Sequence, residues 1–292
     1  MYTIENKRLR VGFELHGAEM VSMYDKEKDR ELIWQADPAY WKRNAPVLFP
    51  FVGQVNGGEY RYQGKTYEMG QHGFARDMEF TLVEKDDTSI TFELNSDEKT
   101  LEKYPFEFKL TIRYVLEMNT LAVIWNVENP AGERMYYSIG AHPAFNVEQA
   151  KKQEYRVQLS GNDTDALTYI LIDPETAGAD WEHPHTLELD EEQAVLAKDE
   201  LFENDALIFD NEQVKRATII DPEGKALVTV DCPGFPSFGL WSPSKDAGFI
   251  CLEPWMGRVD NNGFTGELPE KYEEQKLEAY ESKEFSYTII AQ

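Results

Sequence analysis

The chain is poor in the residues that build disulfide frameworks and zinc sites. Its 292 residues include only two cysteines, Cys232 and Cys251, and five histidines. The two cysteines do not have the spacing of a metal-binding motif. We therefore expect two reduced thiols, buried in the core of a cytoplasmic protein.

Long apolar runs and an excess of positive charge are also missing. The N-terminal segment MYTIENKRLRVGFELHG has no apolar run of signal-peptide length, and no stretch of about 18 apolar residues could span a membrane. The net charge of −25 argues against nucleic acids and anionic membranes as partners. We expect a soluble protein with a self-repelling surface.

Several catalytic signatures are absent. No glycine-rich phosphate loop follows a strand, no Gly-x-Ser-x-Gly turn occurs, and neither cysteine lies in the setting of a nucleophile. Strands do not alternate with helices as they do in a nucleotide-binding α/β fold. These absences disfavour a covalent hydrolase.

What the sequence does contain is a hydrophobic period of two. In FEFKLTIRYVL, residues 106–116, apolar residues occupy every second position and Glu107, Lys109 and Arg113 lie between them. After a turn at 117–120, large apolar residues again occupy every second position of LAVIWNV, residues 121–127. These segments predict an antiparallel hairpin with one buried face. With 41% hydrophobic and 13% aromatic residues, the chain can bury a sizeable core.

Helical periodicity is confined to two segments, DEKTLEKY at residues 97–104 and EEQAVLAKDELF at residues 191–202. More than ten other short segments have the pattern of strands and are separated by turn residues. This balance predicts an all-β fold, a large antiparallel β-sandwich. An open pair of Greek-key barrels is the alternative.

The segment YYSIGAHPAFN, residues 136–146, contains the first candidate for chemistry. Gly140 and Ala141 let the backbone approach another group closely, and Pro143 biases His142 toward extended geometry. We expect the imidazole at the end of a strand with little freedom to move. It can be a core residue, a metal ligand or an acid/base catalyst, and this segment leaves the three roles open.

A second histidine, His72, lies in GQHGFARD, residues 70–77. The flanking glycines open the position to a ligand, and Arg76 and Asp77 supply hydrogen-bonding groups. The alternative is a structural loop in which Arg76 and Asp77 only pair with each other.

Two carboxylates complete the candidates. Glu253, in FICLEPWMGRVD, follows an apolar strand over residues 249–252 and precedes Trp255, so desolvation could raise its pKa and make it a base. The alternative is a rim carboxylate paired with Arg258. The aromatic context suits sugars, whose apolar faces pack on indole rings. Asp205, just before a strand in FENDALIFDN, could bind hydroxyl groups or be an ordinary turn residue.

The remaining histidines are weaker candidates. His16 is expected to end an early strand before a glycine turn. His183 and His185 form an H-x-H pair, but Pro184 between them favours a surface turn, and no third ligand is evident. No metal site is predicted.

Together, RNAPVLFPFVG, GKTYEMGQHGFARD, GAHPAFN, ENDALIFD and CLEPWMGRVD resemble segments of the aldose 1-epimerase family, the galactose-mutarotase-like proteins. The likeness is closest to the lactose-operon-associated (LacX-like) branch. It implies one domain over residues 1–292, a β-supersandwich with a sugar cleft across an open sheet. It also implies a small sugar as ligand, no cofactor, and a monomer or homodimer.

The resemblance assigns roles to four residues. His142 matches the general acid that protonates the ring oxygen, and Glu253 matches the general base at the anomeric hydroxyl. His72 matches a second active-site histidine, and Asp205 a carboxylate that binds sugar hydroxyls. If a hexose ring fits between acid and base, their side chains cannot touch, so we expect all four residues to line one cleft with His142 and Glu253 apart.

One departure concerns Gln54, which stands where many relatives carry a substrate-binding arginine. Arg76 could replace that contact, and it resembles a position that holds phosphate in relatives acting on hexose 6-phosphates. The net charge of −25 and the neighbouring Asp77 favour a free hexose instead.

A sugar-binding protein without activity and a glycosidase with paired carboxylates are the alternative functions.

Overall fold

Antiparallel strands make up most of the structure, a computed structural model that describes residues 1–161, 164–243 and 247–292. The strands begin as β1 Tyr2–Glu5, β2 Leu9–Phe13, β3 Met20–Asp25, β4 Arg30–Glu31, β5 Val47–Leu48, β6 Glu59–Tyr62, β7 Lys65–Glu68, β8 Thr81–Lys85, β9 Ser89–Asn95, β10 Lys109–Glu117, β11 Thr120–Glu128, β12 Met135–Tyr137 and β13 Ile139–Ala141. They continue as β14 Ala144–Asn146, β15 Arg156–Ser160, β16 Ala166–Tyr169, β17 His185–Glu188, β18 Ala194–Leu196, β19 Leu207–Phe209, β20 Arg216–Ile220, β21 Ala226–Asp231, β22 Ser237–Trp241, β23 Phe249–Met256, β24 Gln275–Leu277 and β25 Ser282–Ala291. The described residues also form one α-helix, α1 Glu98–Lys103, and short 3₁₀ helices at Asn56–Gly58, Ala75–Asp77, Gln149–Glu154, Asp199–Phe202 and Leu268–Glu270.

Two large sheets organise these strands. A nine-stranded sheet has the order β18-β15-β20-β21-β25-β11-β10-β9-β8, and a six-stranded sheet has the order β19-β22-β23-β13-β5, with β14 also paired to β23. Apolar side chains of both sheets belong to one core, in which Ile112 and Leu121 of the larger sheet join Leu240 and Leu252 of the smaller one. The predicted all-β sandwich is confirmed.

The hairpin predicted from the period of two is β10 and β11. Their ladder runs from Lys109 opposite Glu128 to Glu117 opposite Thr120. The inward side chains of β10, including Ile112, are fully buried. The alternating pattern therefore predicted both the pairing and the face that enters the core.

Of the two predicted helices, one is present. Helix α1 begins after Asp97, whose side chain accepts a hydrogen bond from the Thr100 backbone while the Thr100 hydroxyl accepts one from the Asp97 backbone. This reciprocal capping box satisfies two free N–H groups of the first turn.

The helix predicted over residues 191–202 is wrong. The segment forms β18, which pairs with β15, and the 3₁₀ helix Asp199–Phe202. The Asp190 side chain accepts hydrogen bonds from the backbones of Glu192 and Ala194. Gln193 has a φ of 58°. This local turn competes with helix formation, and the residues after it pair with strand β15 at the edge of the sheet.

A buried carboxyl group lies beside the smaller sheet, at Glu274 before β24. Burial raises the pKa of Glu274 to about 8, and the nearby ammonium of Lys271 opposes the shift. At neutral pH the carboxyl group is therefore mostly protonated. An unfolded glutamate has a pKa of about 4.3, so the folded state binds this proton more tightly than the unfolded state.

This proton makes stability depend on pH. Between about pH 4.3 and pH 8 the folded state holds more protons at Glu274, so the free energy of unfolding should fall as the pH rises, by up to about 1.4 kcal/mol per pH unit. Glu274→Gln mimics the protonated form at every pH. We expect its melting temperature, measured by calorimetry from pH 5 to pH 8.5, to rise relative to that of the wild type as the pH rises. A difference that does not change with pH would contradict the protonated Glu274.

Candidate active site

One cavity of about 310 Å³ contains all the predicted site residues. His72, Arg76, His142, Asp205 and Glu253 line it. Its volume is at the lower end of the range for small-ligand pockets, about 300–1,000 Å³. Four segments far apart in the sequence thus meet at one face of the six-stranded sheet.

Strand β23 supplies the floor of the cavity through its alternation. Ile250 and Leu252 point into the core shared by the two sheets, whereas Glu253 and Trp255 line the cavity. The prediction that the strand stops at residue 252 is wrong, because β23 continues to Met256 and Glu253 lies within it. The register places Pro254 opposite Phe238 of β22, so the strand passes through the proline.

Two glycines make room for the indole of Trp255. A Cβ atom on Gly140 would lie 2.6 Å from the Trp255 ring, and one on Gly239 would lie 2.4 Å from it. The Trp255 Nε1 donates a hydrogen bond to the carbonyl of Ala141 at 3.2 Å. The close approach predicted for Gly140 is therefore an approach to this indole.

His142 follows β13, as predicted, and it contacts Glu253 directly. The Nε2 of His142 lies 3.3 Å from Oε2 of Glu253. Both residues are buried, with 7% and 1% of their surface exposed. The prediction that their side chains stay apart is wrong. The two oxygens of a reacting hemiacetal sit on the same carbon, so acid and base need only reach one edge of the sugar and not opposite sides of its ring.

Burial acts on the two groups in opposite directions. It raises the pKa of Glu253 well above its usual value, and the negative charge of Asp205 raises it further. It lowers the pKa of His142 to about 3, with added repulsion from the Arg76 and Arg43 cations. Both shifts favour the uncharged forms of the imidazole and the carboxyl group.

His72 is held as a hydrogen-bond donor. Its Nδ1 accepts a hydrogen bond from the Gly53 backbone at 3.0 Å, which leaves the proton of the neutral ring on Nε2. Burial and the neighbouring His142 keep its pKa well below the ordinary value. The backbone reaches this position through a left-handed turn at His72 and Gly73, where a Cβ on Gly73 would overlap the Phe49 carbonyl.

Arg76 does not form a hydrogen bond with Asp77. Its Nε lies 3.8 Å from Asp77 and has no hydrogen-bond partner among the described residues, while its Nη2 donates to the Gln71 carbonyl at 2.7 Å. Asp77 instead accepts a hydrogen bond from Arg43 at 2.7 Å. Burial lowers the pKa of Arg76 to about 10, so the guanidinium remains a cation at neutral pH.

Asp205 lies at the mouth of the cavity just before β19, in a left-handed conformation with a φ of 70°. Part of its surface is exposed. Desolvation by the surrounding protein raises its pKa, and hydrogen bonds from the Ala206 backbone and the Trp241 side chain oppose this shift. Gln54 also lines the cavity, at the position where an arginine was expected from the relatives.

Two tryptophans of the cavity wall were not predicted. Trp41 stacks on the His142 ring at 4.7 Å between centroids, and Trp241 meets that ring edge-on at 5.4 Å. Together they fix the imidazole plane. A sequence signal existed for Trp241, which ends strand β22 just before a Ser-Pro turn, whereas Trp41 lies in a loop without a pattern.

The other candidates lie outside the cavity. His16 and His183 are paired with Glu79 and Asp180, and His185 stacks on Tyr169. The alternative partner for Glu253 is also engaged elsewhere, because Arg258 forms an ion pair with Asp210 at 2.9 Å. Cys232 and Cys251 are buried free thiols, as predicted.

No helix of the described residues is long and apolar enough to cross a membrane.

Comparison with known proteins gives a consistent result. Residues 1–270 match the model of the family described as aldose 1-epimerase. The chain is 32% identical to the chromosomal protein LacX of Lactococcus lactis subsp. lactis over 98% of this chain and 97% of that protein.

Two solved structures share the whole fold. A galactose mutarotase related enzyme from Lactobacillus acidophilus is 32% identical, with a TM-score of 0.92 over 100% of this chain and 97% of the other. A galactose mutarotase-like protein from Lactobacillus casei ATCC 334 is 30% identical, with a TM-score of 0.91 over 100% of both chains. The resemblance found in the sequence motifs is confirmed.

The fit of Trp255 against Gly140 can be tested directly. Gly140→Ala would force the indole away from the sheet, and such overpacking costs about 1–3 kcal/mol. We expect lower stability in urea denaturation and altered tryptophan fluorescence. Gly70→Ala is the matched control, because nothing lies within 4 Å of the position of its Cβ. Equal stability of the two variants would contradict the described contact.

Proposed function

Since the chain belongs to the aldose 1-epimerase family, we propose that it is a mutarotase, which interconverts the α and β anomers of a free aldohexose without a cofactor. The observation that carries the proposal is the buried contact between His142 and Glu253 at 3.3 Å. Binding alone needs no such acid/base pair. The buried free thiols support a reducing, cytoplasmic compartment.

The proposed reaction opens and closes a hemiacetal. Glu253 removes the proton from O1 while His142 delivers a proton to the ring oxygen O5, and the C1–O5 bond breaks to leave an aldehyde. Rotation about C1–C2 presents the other face of the carbonyl group. Closure then reverses both proton transfers, so each group acts as acid in one direction and as base in the other.

Proton balance favours this use of the pair. A neutral imidazole with a carboxylic acid holds the same number of protons as an imidazolium with a carboxylate. Moving the shared proton from Oε2 to Nε2 therefore needs no exchange with solvent. A sugar whose O1 and O5 replace the direct contact can relay protons between the two groups, and the pair regains its starting state after each turnover.

The remaining residues of the cavity suit the binding of hydroxyl groups. The Nε2–H of His72 donates, the carboxylate of Asp205 accepts, and Gln54 can do both. The indoles of Trp41, Trp241 and Trp255 provide flat apolar walls for the C–H faces of a pyranose. Among the residues that the structure describes, Arg76 supplies the one cationic side chain of this lining.

Removing the base tests the mechanism. We expect Glu253→Gln to fold but to lower mutarotation at least about a hundredfold, since general-base catalysis contributes typically about 10²–10⁴ in rate. The measurement is polarimetry of freshly dissolved α-anomer. Glu274→Gln, assayed at pH 6, is a matched control because it alters a buried carboxyl group outside the cavity lining.

Near-normal turnover of a folded Glu253→Gln protein would refute the assignment. Wild-type protein that does not accelerate mutarotation but binds sugars would indicate a binding or regulatory role. Release of a chromogenic aglycone would indicate a glycosidase that uses Glu253 with Asp205.

The form of the sugar is a separate question. A phosphate-binding site usually gathers several cations, but among the described residues Arg76 is the one cationic side chain that lines the cavity. Arg43, outside this lining, is paired with Asp77. We therefore expect kcat/KM for a free hexose to equal or exceed that for its 6-phosphate at physiological salt. A preference of about tenfold or more for the phosphorylated sugar, lost in Arg76→Gln, would make Arg76 a phosphate anchor instead.

A further inference from the structure

A third polar side chain lies with the proposed acid/base pair. Among the described residues, His142, Cys251 and Glu253 form a cluster of buried groups whose ligand atoms lie within 4.8 Å of one another. The mutarotation mechanism has no use for Cys251. The thiol still shares a face of β23 with Glu253, because the two residues are separated by one position in the strand.

We propose that His142, Cys251 and Glu253 bind a thiophilic divalent cation, with Zn²⁺ the best match, and that the bound ion inhibits the enzyme by occupying its acid and base. The binding step stands on this geometry alone. The inhibition step rests on the proposed mutarotase function.

The donor atoms suit zinc in kind, and the His142–Glu253 pair also suits it in spacing. Sulfur, imidazole nitrogen and carboxylate oxygen are its usual ligands, and Zn–N and Zn–O bonds of about 2.1 Å at tetrahedral angles place the two atoms about 3.4 Å apart. The His142 Nε2 and Glu253 Oε2 are 3.3 Å apart. Oε1 of Glu253 is buried and has no hydrogen-bond partner among the described residues, so the carboxylate has free coordinating capacity.

The surroundings also fit a bound cation. Zn²⁺ would displace the protons of the Cys251 thiol and the Glu253 carboxyl group, and the resulting thiolate and carboxylate would balance the charge of the ion, which a buried site requires. The stack of Trp41 on His142 holds the imidazole in place. Because His142 and Glu253 line the cavity while Cys251 lies behind them, the ion would have protein ligands on one side and an open fourth position toward the cavity.

The binding step is tested with the intact wild-type chain. We expect isothermal titration calorimetry to give one Zn²⁺ per chain, and Co²⁺ substitution to give a thiolate-to-cobalt charge-transfer band. Cys251→Ala should lose the band and weaken zinc binding at least about tenfold. Cys232→Ala is the matched control, since it removes the other buried thiol and should keep the band. A missing cobalt–thiolate band in the wild type, or one that Cys251→Ala retains, would overturn the site.

The inhibition step is tested by titrating Zn²⁺ into the mutarotation assay, with each variant compared with its own zinc-free rate. The wild type and Cys232→Ala should be inhibited, and EDTA should restore them, while Cys251→Ala needs at least about tenfold more zinc. Equal zinc sensitivity of Cys251→Ala would contradict the proposed inhibition. If the wild type has no mutarotase activity, the calorimetric and cobalt measurements still decide the binding step.

Discussion

Strand β23 has to satisfy two environments at once. Its even-numbered residues Ile250 and Leu252 join the core between the sheets, and its odd-numbered residues Cys251, Glu253 and Trp255 face the opposite side. A shift of one residue in register would put a carboxylate into the core and a leucine into the cavity. The long ladder with β22 and the apolar core prevent this shift, so the stability of the sheet also fixes the geometry of the site.

Burial then determines the electrostatics. A chain with net charge −25 places at its centre a His–Glu pair that prefers to be uncharged. Isolated charges at this depth would be costly, whereas an uncharged pair is tolerated. In the proposed mechanism the charged and neutral forms differ only in where one proton lies, so the pair would change its charge distribution without drawing a proton from water.

Features of the fold that depend on neighbouring residues could be predicted from the sequence. The period of two predicted the β10–β11 hairpin, and helical periodicity predicted α1. The site residues were found through their segments, and the resemblance supplied the roles that the segments alone left open. Trp41 could not be predicted, because its stacking on His142 is a contact between a loop and a distant strand end. The helix expected near residue 195 failed because a turn at Asp190 and an available sheet edge outweighed its apolar spacing.

The direct contact between His142 and Glu253 has a consequence for substrate affinity. The Nε2 of His142 and the Oε2 of Glu253 already contact each other, so under the proposed function a sugar must displace a competitor that is tethered in the site. The oxygens of the sugar form new contacts with His142 and Glu253 but break the contact between these two groups. Only the difference in free energy contributes to binding. For the proposed mutarotase, such a site is expected to release its product readily, which suits a reaction between two anomers of nearly equal energy.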